Sequence, residues 1–161
     1  MGDEVDEIVD AWRRERPDLD VEPMHILSRV SRLADVLADR RAAAFVEHGL
    51  QGHEFDVLAL RRSGEPFELT AGELCTATHV TSGTMTSRLD RLVARSLVVR
   101  RPDEVDGRLV RVRLTAEGRR RVDAALQALL VSESELLEQL PASARERLTA
   151  ALRDLLAATS R

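Results

Sequence analysis

At 161 residues, with a single cysteine and 43% hydrophobic against 32% charged residues, the chain can bury most of its apolar surface without staples, which excludes a small cross-linked fold. The 2% aromatic share leaves a core of Leu, Val, Ala and Ile, a composition suited to packed helices. The net charge of -4 is unevenly spread: residues 79–121 hold 11 Arg against 5 Asp or Glu, a net of +6, so the remainder carries -10. One basic segment on an acidic body favours contact with a polyanion through one face.

In chain order, Val5, Ile8, Val9 and Trp12 fall at i, i+3, i+4, i+7 and predict a short amphipathic helix ended by Pro17, with nothing local to pack on. A helix of about six turns follows from near Pro23 to near Gly49, with Leu27, Val30, Leu33, Leu37 and Phe45 at helical spacing. "GHEFDVLALRRSG" gives another short helix, with Phe55, Leu58 and Ala59 facing inward and Gly64 and Pro66 stopping it.

Thr70-Ala-Gly-Glu73 is a capping-box pattern that begins a helix running to about Thr78. After a tight turn, Thr81 caps the next helix, whose buried stripe is Met85, Leu89, Leu92 and Val93. Two short helices so joined make a helix-turn-helix. Past Arg95 the hydrophobic period falls from 3.6 to 2. "LVVRR" and "LVRVRL" then form a β-hairpin around Asp106-Gly107.

Thr115 caps a long helix carrying Val122, Leu126, Leu129, Leu130, Leu136 and Leu137, and Pro141 separates it from a last helix bearing Leu148, Leu152, Leu155 and Leu156. The first and last helices lack a core of their own, so they are expected to pack on a second copy in a two-fold homodimer. The expected fold is mainly α with a small β-hairpin wing. Residues 1–49 form N-terminal dimerisation helices, 50–115 a winged helix-turn-helix lobe and 116–161 C-terminal dimerisation helices, within one compact fold overall.

On the helix from Thr81 to Arg95, the side opposite the apolar stripe carries Thr84, Ser87, Arg88, Arg91 and Arg95. Short hydroxyls near a helix N-terminus can reach phosphates or base edges, and Arg further along can pair bidentately with guanine or phosphate. Gly83 leaves space for close backbone approach. At the hairpin tip, Arg108 is suited to a narrow minor groove, with Asp106 holding the loop or pairing with Arg108. The plainer alternative is a solvated helix face beside a hairpin salt bridge.

The segment "ELCTATHVTSGTMTSRLDRLVARSLVVRRPDEVDGRLVRVRLTAEGR" resembles the winged-helix core of MarR-type transcription regulators, in its Leu-Asp-Arg-Leu run at 89–92, its Asp-Gly-Arg wing and its Leu-Thr-Ala-Glu-Gly run, and the flanking helices resemble that family too. The resemblance implies an obligate homodimer on a pseudo-palindromic double-stranded DNA operator. Thr81, Ser82, Gly83, Thr84, Thr86, Ser87, Arg88, Arg91 and Arg95 would then serve the major groove and Arg108 the minor groove. Ser96 departs from the family pattern, which usually has Gly. If the position requires a positive φ, Ser is strained there by about 1 kcal/mol; otherwise the helix ends differently.

"AWRRERPDLD" followed by "PMHILSRVSRLADVL" is similar to a subgroup with an extra N-terminal helix, several members of which respond to urate or related small anions. That resemblance nominates Trp12, Asp56 and Arg88 for a small planar or anionic effector. The competing reading makes Trp12 part of an apolar stripe and Asp56 an exposed helix residue. Cys75 reads as a small core residue rather than a redox sensor. Glu47, His48, His53 and Glu54, with His25 elsewhere, lack a ligand pair at helical spacing, so no metal is expected. His79 either touches phosphate or fills the turn.

No nucleophile elbow or phosphate loop supports catalysis, and no cofactor is implied. With no leader and no 18-residue apolar run, a cytoplasmic protein without membrane contact is expected. The reading is a ligand-responsive, sequence-specific repressor. Its rival is a winged-helix module for protein interaction or for non-specific DNA or chromatin binding.

Overall fold

The computed structural model describes residues 2–62, 68–103, 106–107 and 109–159. The chain divides into two compact units, residues 1–41 and 42–161.

In the first unit, helix α1 (Glu4–Glu15) is started by Asp3, whose carboxylate accepts from the backbones of Val5 and Asp6 while the Asp6 side chain caps in return. Contrary to the sequence expectation, α1 has a local partner. Val5 and Val9 are buried with Val21 and Met24 at the start of α2 (Glu22–Glu47). Trp12 continues the stripe but is 47% exposed, one turn beyond that small core. Arg29 of α2 donates to both Asp3 oxygens, at 2.7 and 2.8 Å, and to Asp6 at 2.7 Å. Those bonds hold both carboxyls below the ordinary aspartate range.

The second unit is built on one core. Phe45 near the end of α2 stacks on Phe55 of α3 (Gly52–Arg62), ring centroids 4.1 Å apart. Around them lie Leu74 of α4 (Ala71–Thr78), Met85, Leu89 and Leu92 of α5 (Ser82–Ala94), and Val122 and Leu129 of α6 (Ala116–Glu138). Cys75 packs against this core, half-buried. Val93, expected inside, is 38% exposed. A three-stranded antiparallel sheet closes one side in the order β1-β3-β2, from Glu68–Thr70, Val110–Leu114 and Val98–Pro102. Val98 faces Leu114, and Leu69 faces Val112. The strand β1 was not foreseen, because three residues are too few to display a period of two.

The hydroxyl caps lie where the sequence placed them. Thr70 and Glu73 satisfy each other's backbone donors (Glu73 N–H to Thr70 at 3.2 Å, Thr70 N–H to Glu73 at 2.7 Å), and Thr115 accepts from Gly118 N–H at 2.9 Å. At the other ends, α2, α4 and α5 close with one common pattern. A left-handed residue donates back three positions and the residue after it donates back five: Gly49 to Val46 and Leu50 to Phe45, His79 to Thr76 and Val80 to Cys75, Ser96 to Val93 and Leu97 to Leu92. This closure needs a left-handed residue, and Gly49 (φ 67°), His79 (φ 53°) and Ser96 (φ 55°) supply it. Ser96 therefore does occupy a positive-φ position without glycine's freedom. Ser96→Gly is expected to raise the unfolding free energy by about 1 kcal/mol, read as a higher urea midpoint at unchanged m-value.

Helix α7 (Ala142–Thr159) begins where the Pro141 carbonyl accepts from Ala144 and Arg145. It contains no buried residue, and Leu148, Leu152, Leu155 and Leu156 are all exposed. Leu130, Val131 and Leu137 on α6 are exposed too, and in the first unit so are Ile26, Leu27, Val30 and Leu33 on α2.

Candidate nucleic-acid interface

The two helices α4 and α5 meet at the His79 corner, and the Thr81 hydroxyl oxygen accepts from Thr84 N–H at 3.4 Å to start α5. Burial of Met85, Leu89 and Leu92 fixes the rotation of α5. Ser82, Gly83, Thr84, Thr86, Ser87 and Arg91 consequently face solvent, with Arg88 half-buried at the edge. Thr86 donates its hydroxyl to the Ser82 carbonyl at 2.9 Å, which leaves its oxygen free to accept. Among the described residues the side chains of Ser82, Ser87, Arg88 and Arg91 have no hydrogen-bond or ion-pair partner. A Cβ at Gly83 would meet nothing within 4 Å, so the open space there is not taken up by the chain's own packing.

Arg100 of β2 ties the hairpin to this helix, pairing with Asp90 at 2.6 Å and donating to the Thr86 carbonyl at 3.2 Å. At the foot of the wing, the 6% exposed Asp103 is the organising group. It accepts from Asp106 N–H at 2.8 Å and from the Arg111 side chain, while its own N–H donates to the Leu109 carbonyl at 2.9 Å. The sequence reading credited Asp106 with holding the loop. The backbone of Asp106 does take part, its N–H donating to Asp103 and its carbonyl accepting from Leu109 N–H, and Asp103 adds a buried carboxylate that the sequence reading did not name. Arg108 lies outside the described residues.

Arg95 is placed differently from the other cations. Its guanidinium turns back to Glu54, at 2.8 Å from both oxygens, and to the Gly49 carbonyl. Burial pushes the Glu54 carboxyl up, but the Gln51 N–H and Arg95 outweigh it and leave the group below its ordinary pKa. This pair joins residues 41 positions apart, and no local pattern announces it. Glu54 is thus engaged in an ion pair, and no group of three or more His, Cys, Asp or Glu among the described residues is arranged to hold a metal.

A cavity of about 700 Å³ opens between α3, α4 and α6, with Phe55, Asp56, Val122, Asp123, Leu126 and His79 among its walls. Asp56 lines it and Arg88 does not. Trp12 stands on α1 in the other unit. His79 fills the turn as the left-handed cap of α4, and it also borders this cavity.

Comparison with known proteins agrees with this geometry. A model of the MarR family matches residues 48–109. The HTH-type transcriptional regulator PecS of Dickeya dadantii is 39% identical over 153 residues, 92% of this chain and 90% of that protein. Among solved structures, Sco5413, a MarR family transcriptional regulator from Streptomyces coelicolor, superposes with a TM-score of 0.70 at 26% identity, covering 88% of this chain and 97% of that one. The apo form of MarR from E. coli gives 0.63 at 27% identity over 78% and 95%. Among the described residues no helix is long and apolar enough to cross a membrane. With its helix-turn-helix, its hairpin wing and these relatives, the chain belongs to the MarR family and is a DNA-binding transcriptional regulator.

Proposed function

We propose that the protein is a homodimeric repressor that places α5 of each copy in successive major grooves of a pseudo-palindromic operator, about 34 to 36 Å apart. One observation carries the reading. The outer face of α5 presents the hydroxyls of Ser82 and Ser87 and the guanidiniums of Arg88 and Arg91, which have no partner among the described residues. Thr81, Ser82, Gly83, Thr84, Thr86, Ser87, Arg88 and Arg91 form the major-groove surface, and Arg108 of the wing enters the minor groove. The exposed leucines of α7 and of the C-terminal half of α6 support pairing with a second copy, in the organisation of 1–49 and 116–161 around a 50–115 lobe. The protein is read as a cytoplasmic, non-enzymatic regulator without cofactor or metal.

A small planar effector is proposed for the cavity beside Asp56, because its wall includes His79, the residue joining the two helices. Occupation there changes operator affinity only if the ligand prefers one arrangement of α4 and α5 over the other. The two carboxylates Asp56 and Asp123 line the cavity without an arginine among the described residues, so an anionic edge would meet carboxylates on this wall. Trp12 and Arg88 remain effector residues by resemblance to the urate-type subgroup alone.

The test is a footprint on the DNA upstream of the protein's own gene, with Arg108→Ala beside wild type. Two protected half-sites one helical turn apart are expected, with binding weakened by about 1 to 3 kcal/mol in the variant. Equal, salt-steep affinity for any duplex would instead establish the rival reading of a non-specific module.

A further inference from the structure

Arg91 on α5 and Arg95, the residue that caps its C-terminal end, are disposed differently. Arg91 has no partner among the described residues, whereas Arg95, one turn further, spends both nitrogens of its fork on the body. The fork meets unusual needs there. Glu54 is 4% exposed, and burying a carboxylate is costly unless it is paired and hydrogen-bonded. Helix α2 has no basic residue in its last turn, so the negative end of its dipole is unanswered from within. Arg95 answers both. The corner is also open to it: Gly49 holds φ 67°, and a Cβ there would lie 3.7 Å from Arg95 Nη2 and 3.1 Å from Arg121 Nη1. Glu54 is held in turn, accepting from Gln51 N–H at 3.0 Å while its own N–H donates to the Gln51 carbonyl at 2.9 Å.

We propose that Arg95 is a positioning residue for DNA reading and not a DNA contact: through Glu54 and the Gly49 carbonyl it clips the C-terminal end of α5 to the corner between α2 and α3. The clip fixes the angle at which the outward face of α5 is presented. A guanidinium that turned to a phosphate would abandon a buried carboxylate. The proposal rests on the regulator reading above, and it leaves fewer cations for DNA contact than the polar face of α5 suggests.

Three single variants, one double variant and two measurements, operator affinity across salt and amide exchange, test it on the full-length chain. Arg95→Lys keeps a cation that can still pair with a phosphate as a point charge, yet it cannot bridge both Glu54 oxygens and the Gly49 carbonyl. Its operator affinity is expected to fall about tenfold, as does that of Glu54→Gln, because a reading surface tolerates little loosening. In both, the slope of log affinity against log salt should match wild type. Arg91→Ala, by contrast, should either lower that slope by about one or abolish preference at one base pair. Combining Arg95→Lys with Glu54→Gln should cost no more than either alone. Independently of DNA, amide exchange of the last turn of α5 should quicken in Glu54→Gln, or in Arg95→Lys if the first variant does not fold. Wild-type affinity in Arg95→Lys, or wild-type exchange in the free variants, overturns the clip. A wild-type chain without operator preference would overturn the regulator reading instead, whatever the exchange shows.

Discussion

Gly118→Ala is expected to destabilise the protein by about 3 kcal/mol, although alanine is the better helix former by about 1 kcal/mol. The reason is a backbone-to-backbone approach. A Cβ at Gly118 would stand 2.0 Å from the Leu97 carbonyl oxygen, 3.0 Å from its carbon and 3.2 Å from Leu114 Cδ2. None of these can retreat easily. The Leu97 carbonyl already accepts from Thr115 N–H at 3.1 Å and from the Thr115 hydroxyl at 3.2 Å, and Leu97 N–H closes α5 on Leu92. Its side chain is fully buried. Moving the carbonyl therefore strains the cap of α6 and the closure of α5 together. Urea unfolding of Gly118→Ala beside Gly83→Ala makes the comparison clean. At Gly83 the added Cβ is unobstructed, and that variant should unfold at or above the wild-type midpoint. Equal midpoints for Gly118→Ala and wild type would mean that α6 does not sit this close.

The second large effect is on DNA. Arg91→Ala should weaken operator binding by about 1 to 3 kcal/mol while leaving the unfolding midpoint within about 0.5 kcal/mol of wild type, since the side chain is exposed and has no partner among the described residues. The salt series then assigns the contact. Loss of one phosphate lowers the log–log slope by about one, and the deficit is the same on every duplex. Loss of a guanine contact leaves the slope and abolishes preference at one base pair. An Arg91→Ala chain that shifts the operator as wild type does would remove α5 from the major groove.

What could be read before the structure was what is local. Thr70, Thr81 and Thr115 betray their helices because a cap is written within four residues, and the outward face of α5 follows from the burial of Met85, Leu89 and Leu92 at helical spacing. The left-handed Ser96 could be suspected for the same reason, as a residue just past the end of a helix. What stayed hidden depends on what lies across space. Arg95 looks like its neighbour Arg91 until Glu54 is brought to it from another helix. Asp103 is one acid among several near the turn until Arg111 closes on it across the hairpin. Val93 sits on a stripe that the core does not extend far enough to cover, and α1 gains a core only because the chain turns at Val21. Gly118, part of the Leu-Thr-Ala-Glu-Gly run, has its physical reason in Leu97, which no pattern within that run reveals.

The bare leucines of α7 have a consequence for dose. An eighteen-residue helix with nothing buried is marginal by itself in water, so on the dimer reading its order comes from association, and thermal stability climbs with protein concentration. Below the dissociation constant the operator-competent species grows with the square of the chain concentration. A twofold change in synthesis then becomes about a fourfold change in occupancy, a steepness that arises from an unfinished surface.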